Sequence, residues 1–135
     1  MKHGAPARIS FDLPDEAQRI SPQEALDVQL YEIAEGKCEI QVYYLYGYHR
    51  ADAVFLLTGK EEQQLGLLQT QRDGRSEYRF SWIGQEDTPR RYTCALVPEA
   101  TTVYALVVST EVKPSSEMKA LRQRVLESFS ICCEP

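Results

Sequence analysis

The spacing of apolar positions along this chain alternates between a period of two and a period of three to four residues, which predicts strands and helices respectively. The run ARISFDLP places Ile9, Phe11 and Leu13 on one side before Pro14 ends it, which predicts a short strand. The run CEIQVYYLYGY predicts the clearest strand of the chain. Its apolar face carries Ile40, Val42, Tyr44, Tyr46 and Tyr48.

Residues 21–35, between these two runs, fit two interpretations. SPQE favours a helix start, because Ser21 suits an N-cap, Pro22 the first helical position and Glu24 the third. VQLYEI instead alternates, and AEGK is typical of a hairpin turn into the next strand. We favour a short turn near 21–25 followed by a strand near 27–33, with one helix as the alternative.

Two later segments have helical spacing. Over 51–65 the residues Val54, Leu57, Glu61 and Leu65 predict one helix, although Gly59 costs it about 1 kcal/mol relative to alanine. Near the C-terminus, Ser115 suits an N-cap and begins a second, amphipathic helix. Its apolar face is formed by Met118, Leu121, Val125 and Phe129, and its outward face by Lys119, Arg122, Gln123 and Glu127.

Four strand-like runs separate the two helices and predict an antiparallel meander. Asp73-Gly74 is a hairpin signal between GLLQTQ and SEYRFSWIG. RRYTCALV and TTVYALVVSTEV follow, and VYALVV is apolar on both faces, which predicts a strand at the sheet centre. The fold class is therefore α+β, an antiparallel sheet with helices packed against it. We expect a flexible arm over 1–7 and one domain over 8–135.

Composition excludes several partner classes. A net charge of -5 argues against nucleic acid, which attracts basic surfaces. No run reaches the roughly 20 apolar residues of a membrane span, and the N-terminus lacks the apolar stretch of a signal peptide. We therefore expect a cytoplasmic protein without a membrane span. An envelope location is the alternative, if a leader was removed.

The sequence offers few residues for catalysis. His3 and His49 are the only histidines, and His49 lies at a strand-to-helix junction. A nucleophile needs a base to activate it, and no Gly-Xaa-Ser-Xaa-Gly elbow is present. We therefore expect no catalytic residues and no enzyme. The alternative is a small-ligand enzyme that pairs His49 with a thiol.

The four cysteines predict neither a metal site nor a cofactor. Cys38 and Cys94 lie in or beside predicted strands, where cysteine packs as a small hydrophobe. Cys132 and Cys133 follow the last helix, whose negative C-terminal dipole disfavours a thiolate. Adjacent cysteines also lack the ligand spacing that structural zinc requires. We therefore expect free thiols, no bound metal and no cofactor.

Tyrosines and arginines supply the candidate interaction surface. Tyrosines crowd the strand that ends near Tyr48, and arginines cluster in the two later hairpins. Tyr and Arg are enriched at protein interfaces. The alternative is that half the tyrosines belong to the core and that the arginines only solubilise the chain.

The order of elements, with the motifs FDLP at Phe11–Pro14 and LRQRVLESFSI at Leu121–Ile131, resembles the PsbP-like fold superfamily over residues 8–131. That group includes DcrB-type bacterial lipoproteins and Eag chaperones of type VI secretion. The resemblance implies an α/β/α sandwich and a non-enzymatic, protein-binding role. We expect an adaptor or chaperone-like module with a link to bacterial secretion. The alternative is an envelope-associated structural protein of DcrB/PsbP type that lacks its leader.

Binding to another protein would run through aromatic anchors and arginine contacts. A second copy of the chain is the alternative partner. The candidate binding residues are Tyr43, Tyr46, Tyr48, Arg79, Trp82 and Arg91.

Overall fold

The computed structural model describes residues 2–3, 9–20, 28–84 and 86–131 of the chain. The strands are β1 (Lys2–His3), β2 (Ile9–Ser10), β3 (Asp12–Leu13), β4 (Gln18–Arg19), β5 (Val28–Ile33), β6 (Cys38–Tyr46), β7 (Leu68–Arg72), β8 (Arg75–Ile83), β9 (Arg90–Pro98), β10 (Thr102–Glu111) and β11 (Ser130–Ile131). The helices are α1 (Arg50–Thr58), α2 (Glu62–Leu65) and α3 (Ser116–Ser128).

One seven-stranded antiparallel sheet organises the molecule, in the order β4-β5-β6-β10-β9-β8-β7. Strands β7 to β10 are consecutive neighbours, which confirms the predicted meander. The middle strand is β10, and its residues 103–110 are buried on both faces. The apolar run VYALVV had indicated this central position, because only a strand covered on both sides needs two apolar faces.

Helices cover both faces of the sheet. On one face, which we call the α3 face, α3 packs through Met118, Leu121, Val125 and Leu126. On the opposite face, the α1 face, Ala53 and Val54 of α1 enter the second half of the core. The architecture is thus an α/β/α sandwich of the α+β class, as expected.

The hairpins follow the turn residues of the sequence. Asp73 and Gly74 have φ values of 52° and 77°, the left-handed backbone that a two-residue hairpin loop requires. Ala34, Glu35 and Gly36 also have positive φ and turn β5 into β6. The strand predicted near 27–33 is therefore confirmed from Val28 onward, and the helical alternative is wrong there. The turn predicted near 21–25 lies outside the described residues.

The single helix predicted over 51–65 is wrong. Gly59 takes a left-handed conformation at φ 72° and ends α1, with its N–H donating to the carbonyl of Phe55. Glu61 then starts α2 with a capping box, in which its own N–H donates to Gln64 Oε1 at 2.8 Å. Leu57 and Leu65 keep helical spacing across the break, so the apolar pattern did not indicate that a helix ends at Gly59.

The first predicted strand also divides. β2 pairs with β11 and β3 pairs with β1, while Phe11 between them is buried in the core of the α3 face. Lys2–His3 thus has a strand partner. The flexible arm over 1–7 otherwise stays a prediction, because residues 1 and 4–8 are outside the described part of the chain.

The C-terminal end of α3 is held by a side chain of the edge strand β7. Arg72 donates to the carbonyl oxygens of Leu126, Glu127 and Phe129 at 2.9–3.1 Å. Its Nε meets Glu77 Oε1 at 2.5 Å, and Glu77 is only 2% exposed. α3 ends on Phe129 in an extended conformation and has no basic residue in its last turn. Arg72 therefore supplies the cation and the donors that a helix C-terminus favours.

We expect Glu77→Gln to lower the free energy of unfolding by about 3 kcal/mol, because it removes the buried counter-charge that Arg72 and Arg79 share. Urea unfolding followed by circular dichroism measures this. Glu16→Gln, which removes an exposed carboxylate in a turn, is the control and should change stability by less than about 0.5 kcal/mol. Equal stability of the two variants would contradict the role given to Glu77.

The same pair predicts a pH dependence. Burial alone would raise the pKa of Glu77, but hydrogen bonds and charges from Arg72 and Arg79 outweigh it and lower the pKa from 4.5. A carboxyl with a depressed folded-state pKa stabilises the fold above its ordinary value, and this contribution is lost as pH falls through the lower folded value. The stability gap between wild type and Glu77→Gln should therefore narrow as pH falls below 4.5. A constant gap in acid unfolding titrations would refute this.

Candidate functional site

Tyr43 and Trp82 meet in a pocket of about 330 Å³ on the α1 face, beneath the end of α1. Trp82 stacks on Tyr92 with ring centroids 5.1 Å apart and on Phe80 at 5.7 Å. Leu57 and Thr58 of α1 also line this pocket. Tyr43 and Trp82 thus share one site, and both side chains are partly buried in the wall of its pocket.

The two tyrosine hydroxyls of this pocket are already paired. The hydroxyl of Tyr43 donates to Gln41 Oε1 at 2.7 Å, and that of Tyr92 donates to Glu86 Oε1 at 2.6 Å. Burial raises the pKa of Tyr43. Burial and the hydrogen bond to Glu86 raise the pKa of Tyr92. Both phenols therefore stay protonated at neutral pH and serve as structural donors.

Tyr48 lies in a different place, a groove of about 430 Å³ along the outer side of α1. We call it the α1 groove; its lining residues are Tyr48, Ala51, Asp52, Phe55, Leu56 and Glu61. Phe55 and Leu56 are each 53% exposed. Tyr48 itself is 37% exposed, so three large side chains gather at solvent here. Tyr46 is 78% exposed but does not line the groove, because alternation along β6 assigns it to the α3 face with Val42 and Tyr44.

The apolar spacing of this segment did not indicate Phe55 and Leu56 as candidate binding residues. Positions three and four residues apart mark the side of α1 that enters the core, and Phe55 and Leu56 lie outside that set. The run AVFLL nevertheless carries a signal, because a helix that is apolar all round must be buried on every side or must offer one side to a partner. In the structure Ala53 and Val54 are buried while Phe55 and Leu56 are not.

The charges around the α1 groove are mainly acidic. Arg50 is engaged by Glu62, with Nε–Oε1 at 2.8 Å and Nη2–Oε2 at 2.9 Å, and it covers the ring of Tyr78. The hydrogen bond to Glu62 raises the pKa of Arg50, and that of Glu62 is lowered by the same bond. Asp52 and Glu61 are then the charged residues that line the groove.

Arg79 and Arg91 lie together in a third groove, of about 360 Å³, where β7 begins at the sheet edge. Arg79 Nε is 2.9 Å from Glu77 Oε2, and Arg91 Nε donates to the carbonyl of Val112 at 3.3 Å. Arg122 of α3 also lines this groove, and its Nη1 atom is buried without a hydrogen-bond partner. The sequence had placed Arg122 on the outward side of α3, so that expectation is wrong.

Five of the six candidate residues therefore lie in three places, and Tyr46 lines none of them. Tyr43 and Trp82 share the aromatic pocket, Tyr48 lies in the α1 groove, and Arg79 and Arg91 share the arginine groove. Strand alternation explains the separation, because Trp82 and Arg79 lie on opposite faces of β8. Their role in binding stays a prediction, and the structure does not present them as one surface.

The histidine and the cysteines that a thiol-dependent enzyme would use differ in their exposure to solvent. His49 is exposed at the start of α1 and makes no side-chain capping bond. Cys38 and Cys94 are free thiols with no exposed surface. Burial raises the pKa of Cys38 to about 11 and that of Cys94 as well. Cys132 and Cys133 lie outside the described residues.

Within the part of the chain that the structure describes, no three His, Cys, Asp or Glu side chains gather in a group that could hold a metal ion. The described helices include none with the length and apolarity needed to cross a membrane.

Comparisons with known proteins identify the fold. No protein-family model and no curated relative matches the sequence. A solved structure from Bacteroides thetaiotaomicron VPI-5482 is similar at a TM-score of 0.61 and 10% identity over 93% of this chain, which spans 46% of that protein's length.

Two named structures are also similar. Cyanobacterial PsbP (CyanoP) from Synechocystis sp. PCC 6803 matches at a TM-score of 0.61 and 14% identity, covering 92% of this chain and 86% of its own. LpqN of Mycobacterium tuberculosis, described as involved in cell envelope biogenesis, matches at 0.52 and 14%, covering 98% and 88%. These likenesses do not test the DcrB-type and Eag branches, which stay predictions. The chain has the PsbP-like fold that Phe11–Pro14 and Leu121–Ile131 had suggested.

Proposed function

We propose that this chain is a non-enzymatic protein-binding module whose α1 groove receives an apolar segment of another protein. The observation that carries the proposal is the exposure of Phe55 and Leu56 beside Tyr48. Contiguous exposed apolar side chains are uncommon on monomeric proteins and mark interaction surfaces. Aromatic residues in such a place act as anchors that fill pockets of a partner.

The charges of the α1 groove specify the chemistry of that partner. Asp52 and Glu61 border the apolar residues, and the one nearby arginine, Arg50, is neutralised by Glu62. A partner segment with Lys or Arg beside its apolar residues would place a cation next to each carboxylate. Complementary charge at the rim steers association and sets orientation, while the apolar centre supplies most of the affinity. We therefore propose an amphipathic segment with basic flanks as the occupant.

An adaptor or chaperone-like role is the form of this function that we favour, and a link to bacterial secretion remains part of the proposal. A chaperone for an apolar segment needs an exposed apolar receptor on a stable scaffold. The α1 groove fits this requirement because Ala53 and Val54 fix α1 to the core while its outer side stays open. The groove accordingly needs no refolding before it binds.

An envelope-associated structural role is the second candidate. It is supported by the shared fold of LpqN, which is described as involved in cell envelope biogenesis. Fractionation of cells that express the full gene product with a tag tests it. Recovery with the envelope would support this role, and recovery only in the cytosolic fraction would contradict it.

A thiol-dependent enzyme is less well supported. Nucleophilic catalysis needs a thiolate within hydrogen-bond reach of a base. Cys38 and Cys94 are fully buried, whereas His49 is exposed. A raised thiol pKa also runs against activation, which requires a lowered one.

We expect the double variant Phe55→Ser/Leu56→Ser to lose partner binding, by about tenfold or more, because it removes two apolar anchors. Quantitative affinity capture identifies the partner, and titration with a synthetic peptide of its apolar segment measures the dissociation constant. Leu68→Ser is the matched control, since Leu68 is 63% exposed but lies on β7. Equal binding by wild type and the double variant would overturn the assignment of the α1 groove.

We expect the buried thiols to be inert in the native protein. In the variant C132S/C133S only Cys38 and Cys94 remain, and a pKa of about 11 leaves Cys38 with about a hundredfold less thiolate than an ordinary cysteine. Ellman's reagent should therefore react slowly with the folded variant and rapidly after unfolding in guanidinium. Fast reaction of the folded variant, followed spectrophotometrically, would instead support the thiol enzyme.

A further inference from the structure

The arginine groove at the sheet edge is a second candidate site, and it is distinct from the α1 groove. Arg79 comes from β8, Arg91 from β9 and Arg122 from α3, so three elements contribute one guanidinium each. Ser81 and Thr93 add two hydroxyls to the same lining. The residues are far apart in sequence, and only the packing of α3 against the sheet brings them together.

The charge of this groove is not balanced from within. The residues that line it include three arginines and no carboxylate, although the chain as a whole carries a net charge of -5. Glu77 is bonded to Arg79, but it also neutralises Arg72 and therefore serves two cations. Arg91 is bonded to a backbone carbonyl, which carries no full charge. Like charges that line one groove repel one another, and an anion bound between them would relieve that repulsion.

Arg122 gives the most specific indication. Its Nη1 atom is buried and has no hydrogen-bond partner. A buried donor without an acceptor costs free energy, and the cost is larger for a charged group. An oxygen of an anionic ligand in the groove would supply the missing acceptor. Guanidinium groups suit oxyanions, because their planar fork can donate two parallel hydrogen bonds.

The other side of the groove is apolar. Leu65 and Leu68 line it at the start of β7, and Leu68 is largely exposed. Gly66 lies between them and presents no side chain that would narrow the entrance. A ligand with a charged head and an apolar body would meet arginines at one end and leucines at the other.

We propose that the arginine groove binds an oxyanion, either a phosphate or a carboxylate, carried on a small apolar body. The arginines and hydroxyls hold the oxyanion, and Leu65 and Leu68 contact the body. This function is separate from the protein binding proposed for the α1 groove, so Phe55→Ser/Leu56→Ser should leave it unchanged.

Isothermal titration calorimetry at constant ionic strength tests the proposal with three probes: inorganic phosphate, phenyl phosphate and benzoate. We expect saturable binding of at least one of the two phenyl probes. Tighter binding of phenyl phosphate than of benzoate assigns the site to phosphates, and the reverse order assigns it to carboxylates. Equal affinity for inorganic phosphate and phenyl phosphate would overturn the apolar contact, and no binding of any probe would overturn the whole proposal.

Matched variants locate the site. Arg122→Gln should weaken binding about tenfold or more, because a hydrogen bond to a charged group is lost. Arg124→Gln removes the same charge from an exposed position on the same helix and should change affinity by less than about twofold, since exposed charges are screened. Equal weakening by both variants would show only a general charge effect and would refute the groove.

Thermal unfolding gives a second readout that does not depend on calorimetry. A ligand that binds only the folded state raises the melting temperature. Phenyl phosphate, or benzoate if that binds tighter, should therefore raise the melting temperature of wild type and of Arg124→Gln, but much less that of Arg122→Gln. If Arg122→Gln fails to fold, Arg79→Gln/Arg91→Gln replaces it, with the same expected loss of the ligand-induced shift. An unchanged shift in the variant that is used would contradict the proposal.

Discussion

Arg72 and its partner Glu77 connect the outermost hairpin of the sheet to the end of the last helix. The guanidinium donates to the carbonyls of Leu126 and Glu127 in α3 and of Phe129 directly after it, and the buried carboxylate of Glu77 neutralises its charge. Neither residue is favourable without the other, since a lone buried ion carries a large desolvation cost. The position of α3 on the sheet therefore depends on this pair, and so does every side chain that α3 contributes to the sheet edge.

The central strand β10 imposes a second constraint. It is buried on both faces, so both faces of the sheet need a covering layer. α3 covers its face with a broad apolar stripe. α1 covers the other with Ala53 and Val54, beside which Leu57 also packs, while Phe55 and Leu56 remain at solvent. One side of α1 thus packs on the core and the other side lines the exposed groove. The core contacts of α1 therefore fix the position of the proposed binding surface.

Most of the scaffold could be read from local patterns. Alternation identified the long strands, and Asp73-Gly74 and Ser115 marked a turn and a helix start with defined backbone requirements. The break at Gly59 was harder, because apolar spacing continued on both sides of it and only the left-handed backbone ends the helix. The candidate site was predicted less well. Trp82 and Arg79 were grouped because both residue types are frequent at interfaces, although alternation assigns them to opposite faces of β8.

The sequence by itself determined the α+β class, the meander, the two-faced central strand and the closing helix, because these depend on periodicity and turn chemistry within short segments. Only the tertiary structure decided which side of α1 stays open and where Arg122 points. Both depend on how layers distant in sequence pack together: α1 turns Ala53, Val54 and Leu57 toward the sheet, and α3 brings Arg122 into one groove with two arginines of β8 and β9. Local patterns indicate which residues are apolar enough to be buried. Tertiary packing decides which of those residues are covered by another element.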